Sequence, residues 1–343
     1  MSTTSKSALL GLCAILAWAS PGVAQTDTVG AIKSRGDLIC GTSTGGSPGL
    51  STLDDKGAWA GLEVDYCRAL AAAILGNPDR VKFAPLEFKN AFAALTSGSV
   101  DLLARTATWT FTRDVELRFD WPVVYLHDGQ GFMVRKSLGV KAAKDLDGAS
   151  ICVTGGSTTE LNLADFFRAH KLKYIPIVAS GREQNIANLE ANRCDAYSNE
   201  RGGLAANRSA LPKPDDYVIL PDVVSKEPTG PVVRQDDARF RDIVAWTFYA
   251  LVIAEEFGVT RANVIEQASG SDNPEVQRLL GKTGEFGSKL GLANDWAVKV
   301  ISAAGNYGEI YNRNLGADSR IKLARGQNEL WKNGGLIYAP PMR

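Results

Sequence analysis

Short apolar runs, each ending in a polar or glycine-rich stretch, alternate along this chain with longer segments whose apolar positions recur at helical spacing. Residues 38–42, Leu38-Ile39-Cys40-Gly41-Thr42, read as a buried strand entering the polar loop 43–49. Gly61 precedes an amphipathic stretch, 62–74, that Gly76-Asn77-Pro78 stops, which predicts a helix. A strand over 81–86 follows, then a helix around 90–96 closed by Ser97-Gly98, and a strand over 100–104. Strands alternating with helices predict a mostly parallel α/β sheet.

The theme then repeats. Residues 151–153 read as a strand running into the turn 154–160, with a helix to about His170. A strand over 174–178, a helix over 182–191 and a strand over 195–198 complete a second, smaller α/β unit. Two stretches rich in Gly or Pro, 125–134 and 225–234, lie between the units and read as crossing strands. Two crossings mean that sequence after the second unit completes the first, so hinge bending between two lobes is expected. Beyond Asp237 helical spacing dominates, over 240–257 and again over 294–304, and only a structural role is read there. The expected lobes are 25–129 with 233–343, including a C-terminal helical extension, and 130–232.

Length and charge narrow the class. At 343 residues the chain has room for two domains, and 38 basic residues balance 38 acidic ones. With no long basic run, nucleic acid is not an expected partner. Lys6 is the only charge before Asp27; an apolar run over 8–18 and the small residues Gly22-Val23-Ala24 follow it. This reads as a signal peptide over 1–24, cleaved after Ala24, because the run is well short of the roughly 20 residues that span a bilayer. Bulky Leu12 argues against a lipid anchor at Cys13. The mature chain keeps Cys40, Cys67, Cys152 and Cys194, an even set that suggests two disulfides in an oxidising compartment, with three pairings open. Their spacing is no metal-ligand pattern and the chain has only two histidines, so neither a metal nor a cofactor is expected.

In an α/β lobe, ligands collect at the carboxyl ends of strands, and three such ends here are unusually polar. The first runs from Arg105 to Asp114; its hydroxyls, amides and Arg113 suit a carboxylate, although composition alone would make Arg113 a solvated surface residue. The second is the 155–160 turn, where Ser157, Thr158 or Thr159 would cap a helix whose free amides attract an anion. The third is Asn199-Glu200-Arg201, whose carboxylate would pair with an ammonium group, with Arg201 or with solvent. Two sets of anion donors and one acid match a zwitterion.

Gly61-Leu62-Glu63-Val64-Asp65 with its helix resembles the signature of the bacterial extracellular solute-binding proteins of family 3. Within them the chain is most similar to the general L-amino-acid-binding proteins of polar amino-acid ABC systems. The same likeness extends to Thr108-Trp109-Thr110 with Arg113-Asp114, residues 128–134, residues 158–165 and Ser225-Lys226-Glu227-Pro228. It continues in Ser271-Asp272-Asn273-Pro274-Glu275 and Gly305-Asn306-Tyr307-Gly308-Glu309, and so covers essentially all of the mature chain. The resemblance implies a type II periplasmic-binding fold that closes on its ligand. It implies that Arg113 holds an α-carboxylate, helped by Thr108 and by the helix start at Thr158 and Thr159. Thr106 would offer backbone contacts near the ammonium, and Glu200 stands where relatives carry an Asp that pairs with it. The extra methylene narrows the pocket or re-aims the carboxylate. Phe88 falls where some relatives place an aromatic wall, or else packs in the core. The resemblance also pairs Cys40 with Cys67 and Cys152 with Cys194, one bridge per lobe.

The expected function is that of a monomeric periplasmic receptor handing an L-amino acid to the permease subunits of an ABC transporter. An enzyme on this scaffold, such as a dehydratase, would need a positioned acid or base, and Glu200 and His127 are the only candidates. A sensory receptor would use the same closure.

Overall fold

The computed structural model describes residues 27–44 and 46–343; the expected leader over 1–24 lies outside them. The helix Leu62–Leu75 organises the first lobe. Glu63 and Asp65 in its first turn favour the positive end of the helix dipole, and Gly76 ends it in the left-handed conformation at φ 73°. Gly61 precedes it at φ 135°, where a Cβ would stand 2.1 Å from the Leu50 carbonyl oxygen, so no larger residue fits. The Cys40–Cys67 disulfide ties this helix to the strand Leu38–Thr42. That strand is the middle of a three-stranded parallel sheet, between Val81–Pro85 and Leu102–Leu103.

The second lobe carries a five-stranded sheet in the order Ile175–Ala179, Ser150–Thr154, Ala196–Glu200, Gln130–Arg135, Tyr217–Ile219. The first three strands are parallel and the last two antiparallel to their neighbours. Alternate residues feed separate cores: Phe132, Val134, Ile151 and Val153 pack in one cluster, Met133, Cys152 and Tyr197 in another. The sheet is therefore covered on both faces, as its continuous apolar runs require. Cys152 and Cys194 are joined, so both bridges match the pairing implied by the resemblance.

Between the lobes, Leu126–Asp128 pairs antiparallel with Glu227–Thr229, and the returning chain adds a bridge from Val232 to Leu103 of the first sheet. The stretch expected as one crossing, 125–134, is thus two elements. It breaks at Gly129, where a Cβ would meet Val223 at 2.4 Å, and the apolar residues beyond it become a central strand. The helix expected around 90–96 begins earlier, as Phe88–Thr96, and this places Phe88 at the head of the cleft.

The C-terminal region packs on lobe 1. Trp296–Ala304 lies against Leu62–Leu75, and Asp65 accepts from Arg313 Nε at 2.9 Å and Asn314 Nδ2 at 2.7 Å. Near the C-terminus, Asn328 Oδ1 accepts from the His127 amide at 2.7 Å and its Nδ2 donates to the His127 carbonyl at 3.0 Å. The extension therefore grips one of the two hinge strands.

Candidate functional site

A cavity of about 310 Å³ lies between the lobes, and most of its wall lies at or just beyond the carboxyl end of a strand. Lobe 2 contributes the starts of three helices: Thr158–Ala169 capped by Ser157, Arg182–Glu190 capped by Gly181, and Arg201–Ala210 with Glu200 at its N-cap. First-turn amides lack partners within their helix, and the dipole adds positive potential, so the starts at Thr158 and Arg182 favour anions. At the third, the Arg201 amide donates to the Gly129 carbonyl and the Gly202 amide to the Asp128 carboxylate, each at 2.8 Å. Lobe 1 contributes Ser43, Phe88, Arg105, Thr106 and Thr108.

Thr106 adopts φ 53°, a left-handed conformation unfavourable for a branched residue. The buried Glu63 carboxylate holds it there: Oε1 accepts from the Thr106 amide and, at 2.8 Å, from the Tyr125 hydroxyl. Burial pushes the Glu63 carboxyl up, against the pull of Tyr125, Thr106 and Arg105. In the sequence Glu63 is visible only as part of a signature, because a carboxylate in a first helical turn needs no other explanation.

Phe88 lies under two cations. The Arg105 guanidinium stacks 4.8 Å from its ring centre and that of Arg113 5.0 Å, both within cation–π range. Arg113 is buried and donates from Nη1 to the Thr108 carbonyl at 2.8 Å, but it is not part of the cavity wall. Arg105, which the sequence offers only as the start of a polar stretch, is in the wall. Burial brings its pKa down to about 10; Arg182 and Arg113 push the same way while Glu63 and Glu200 oppose.

One carboxylate joins the two walls. Glu227, fully buried in its hinge strand, accepts from Thr108 of lobe 1 at 2.5 Å and from Thr158 of lobe 2 at 3.0 Å on the same oxygen. Its other oxygen accepts from Asn162 Nδ2 and Ser225 Oγ, each at 2.7 Å. A hydroxyl has one proton to give. With both directed at Glu227, the Thr108 and Thr158 hydroxyls present lone pairs to the cavity, which suit an ammonium rather than a carboxylate. A second link between lobes runs from the Arg182 guanidinium to the Ser47 hydroxyl. In the sequence Glu227 appears only within the stretch 225–228 of the resemblance, and its partners other than Ser225 lie far away along the chain.

Glu200 supplies the acid. Its pKa rises to about 7, chiefly by burial, with Glu227 and Asp128 adding to the rise and Arg182 opposing it. The structure brings Phe88, Thr106, Thr108, Thr158, Thr159 and Glu200 to one cavity. Thr159 contributes main chain, since its hydroxyl shares a 2.6 Å bond with Ser157 and its carbonyl accepts from Gln130. His127 is elsewhere, in the hinge strand Leu126–Asp128. Among the described residues no group of His, Cys, Asp or Glu is arranged to hold a metal ion.

The family model of the bacterial extracellular solute-binding proteins, family 3, matches residues 38–317. The glutamate/glutamine/aspartate/asparagine-binding protein BztA of Rhodobacter capsulatus is 51% identical over 98% of this chain and 99% of its own. The general L-amino acid-binding periplasmic protein AapJ of Rhizobium johnstonii is 48% identical over 98% of each chain. Among solved structures, an ABC transporter periplasmic binding protein from Brucella ovis with glutathione bound superimposes with a TM-score of 0.90 at 50% identity. That match covers 93% of this chain and all of the other.

Proposed function

This chain belongs to the bacterial extracellular solute-binding proteins of family 3, and from that premise we propose that it is the periplasmic receptor of an ABC transporter for L-amino acids. Relatives named as amino-acid-binding proteins support the reading. The observation that carries it is one interlobe cavity with both polarities: the Glu200 carboxylate with two hydroxyls turned to accept, and the helix starts at Thr158 and Arg182 with the Arg113 guanidinium behind Thr108. A zwitterionic head group needs both. In this reading the ammonium meets Glu200 and the lone pairs of Thr108 and Thr158. The α-carboxylate takes the helix start at Thr158 and Thr159 and the charge of Arg113, whose guanidinium makes only one hydrogen bond among the described residues. Phe88 is the wall that keeps the guanidinium groups aligned.

The lobes, 25–129 with 233–343 and 130–232, turn about the paired hinge strands to admit and release the ligand. A leader over 1–24 exports the chain, and the closed monomer docks on the permease. We assign no reaction to the cavity, because Glu200 is the ammonium's partner and His127 stands away from it. A thermal-shift screen of the twenty amino acids on ligand-stripped protein tests the reading, since a ligand of the native state raises the midpoint. Stabilisation by several L-amino acids is expected; none by any of them overturns it. Loss of amino-acid uptake in a deletion strain separates transport from sensing.

A further inference from the structure

The cavity has more donor capacity than an amino-acid head group can use. Arg105 is 8% exposed, lines the wall, and leaves Nε and Nη1 without a partner; its Nη2 reaches only the Leu86 carbonyl at 3.3 Å. Asn199, 6% exposed and in the opposite lobe's part of the wall, leaves Nδ2 unpartnered. Among wall residues, every buried side-chain atom without a partner is an N–H donor. An unmet donor in a buried site is costly, and more so when charged, so such groups persist where a ligand meets them. Arg182 brings another cation to the same wall, near enough to Arg105 for the two to repel. Two helix starts, at Thr158 and Arg182, add potential of the same sign. Against this stands the half-buried Glu200; Glu87 and Glu183 are exposed at the rim.

We infer that Arg105, with Asn199, forms a side-chain subsite for a second acyl oxygen of the ligand, so that the receptor prefers amino acids ending in a carboxylate or carboxamide. The inference rests on the amino-acid reading and narrows it. Arg105 suits the role because its planar fork matches a carboxylate and its stacking on Phe88 fixes the plane of that fork. A dicarboxylate would also relieve the repulsion between Arg105 and Arg182. Neutral aliphatic ligands would fill the same space and leave the donors unmet. A site built to bond a polar group rejects an analogue lacking it more strongly than an apolar pocket rejects a changed methylene.

Calorimetry on ligand-stripped protein with L-glutamate, L-glutamine and L-norvaline tests this, because norvaline keeps the head group and a three-carbon side chain without the acyl oxygen. Wild type should bind glutamate and glutamine at least about 30-fold more tightly than norvaline. Arg105→Ala should reduce that ratio to within about threefold while norvaline affinity stays nearly constant. Arg105→Lys, which keeps the charge without the fork, should fall between and carries the test if the alanine variant does not fold. Glutathione is the second arm: a preference for it over glutamate that Arg105→Ala erases assigns the subsite to a more distant carboxylate of the same chemistry. The inference is overturned if the ratio survives in Arg105→Ala, or if norvaline affinity falls alongside that of glutamate. If wild type binds norvaline and glutamate equally, the subsite is wrong and the amino-acid reading stands. If it binds no amino acid, both fall.

Discussion

Lobe 1 meets the cavity with side chains held by other side chains, whereas lobe 2 meets it with the starts of helices. In lobe 1, Thr106 keeps its left-handed turn through Glu63, and Arg105 and Arg113 keep their directions through Phe88. In lobe 2, strands Ser150–Thr154 and Ile175–Ala179 each run into a helix N-terminus, so regular secondary structure presents the amides, while Ala196–Glu200 ends on the Glu200 carboxylate. Side-chain donors can discriminate between ligands but depend on a supporting shell. Backbone donors tolerate substitution but read little beyond negative charge.

The largest test of that contrast removes one group from each side of the cavity. Arg113→Ala should weaken every amino-acid ligand about a hundredfold or more, the cost of losing one partner of a desolvated charge pair. Thr159→Ala should change affinity less than about threefold, because the backbone amide remains and the hydroxyl is bonded to Ser157. Calorimetry with the thermal midpoint as a fold control reads both; equal losses would erase the contrast.

Glu227→Gln comes next. The amide replaces one acceptor oxygen by a donor and frustrates two of the four bonds that Glu227 receives. A loss of about tenfold in affinity is expected. The loss should be smaller for an analogue without the amine, such as glutarate against glutamate, since the hydroxyl lone pairs serve the ammonium. A uniform loss would make Glu227 merely structural.

Glu200 gives the third test. With its pKa near 7 in the free protein, the carboxyl is largely protonated below that pH, and an ammonium must displace the proton to bind. Affinity should therefore be flat above about pH 8 and fall as pH drops, approaching about tenfold per unit below 7. Titrations at pH 6 in buffers of different ionisation enthalpy should show proton release on binding. Glu200→Gln should abolish both effects, and a flat profile in wild type would contradict the assignment.

The smallest effect on binding is expected from the disulfides. The Cys152–Cys194 bridge spans 42 residues and Cys40–Cys67 spans 27. Replacing Cys152 and Cys194 by Ser should cost about 3–4 kcal/mol of stability, by denaturant unfolding, yet leave affinity within about threefold. Neither bridge crosses the hinge, so neither limits closure.

Much of this was legible in order along the chain. Period-two and period-3.6 patterns placed the alternating strands and helices, the polar strand ends pointed to the stretch 105–114, the turn 155–160 and Glu200, and the family resemblance singled out Thr106 and Thr108. Phe88 could be read as wall or core; its stacked cations make it wall. Arg105, Asn199, Arg182 and Glu227 were harder. Nothing local distinguishes a buried arginine with unmet nitrogens from a solvated one, or a hinge glutamate from any other surface acid.

The sequence by itself determined the two alternating α/β units and pointed to a zwitterionic ligand, because hydrophobic period and strand-end polarity are local properties. Only the tertiary structure decided which way the hydroxyls point, which arginine lines the cavity and which acid joins the lobes. Those outcomes depend on hydrogen bonds between residues as far apart as Thr108 and Glu227, and on the burial that makes an unpaired donor costly.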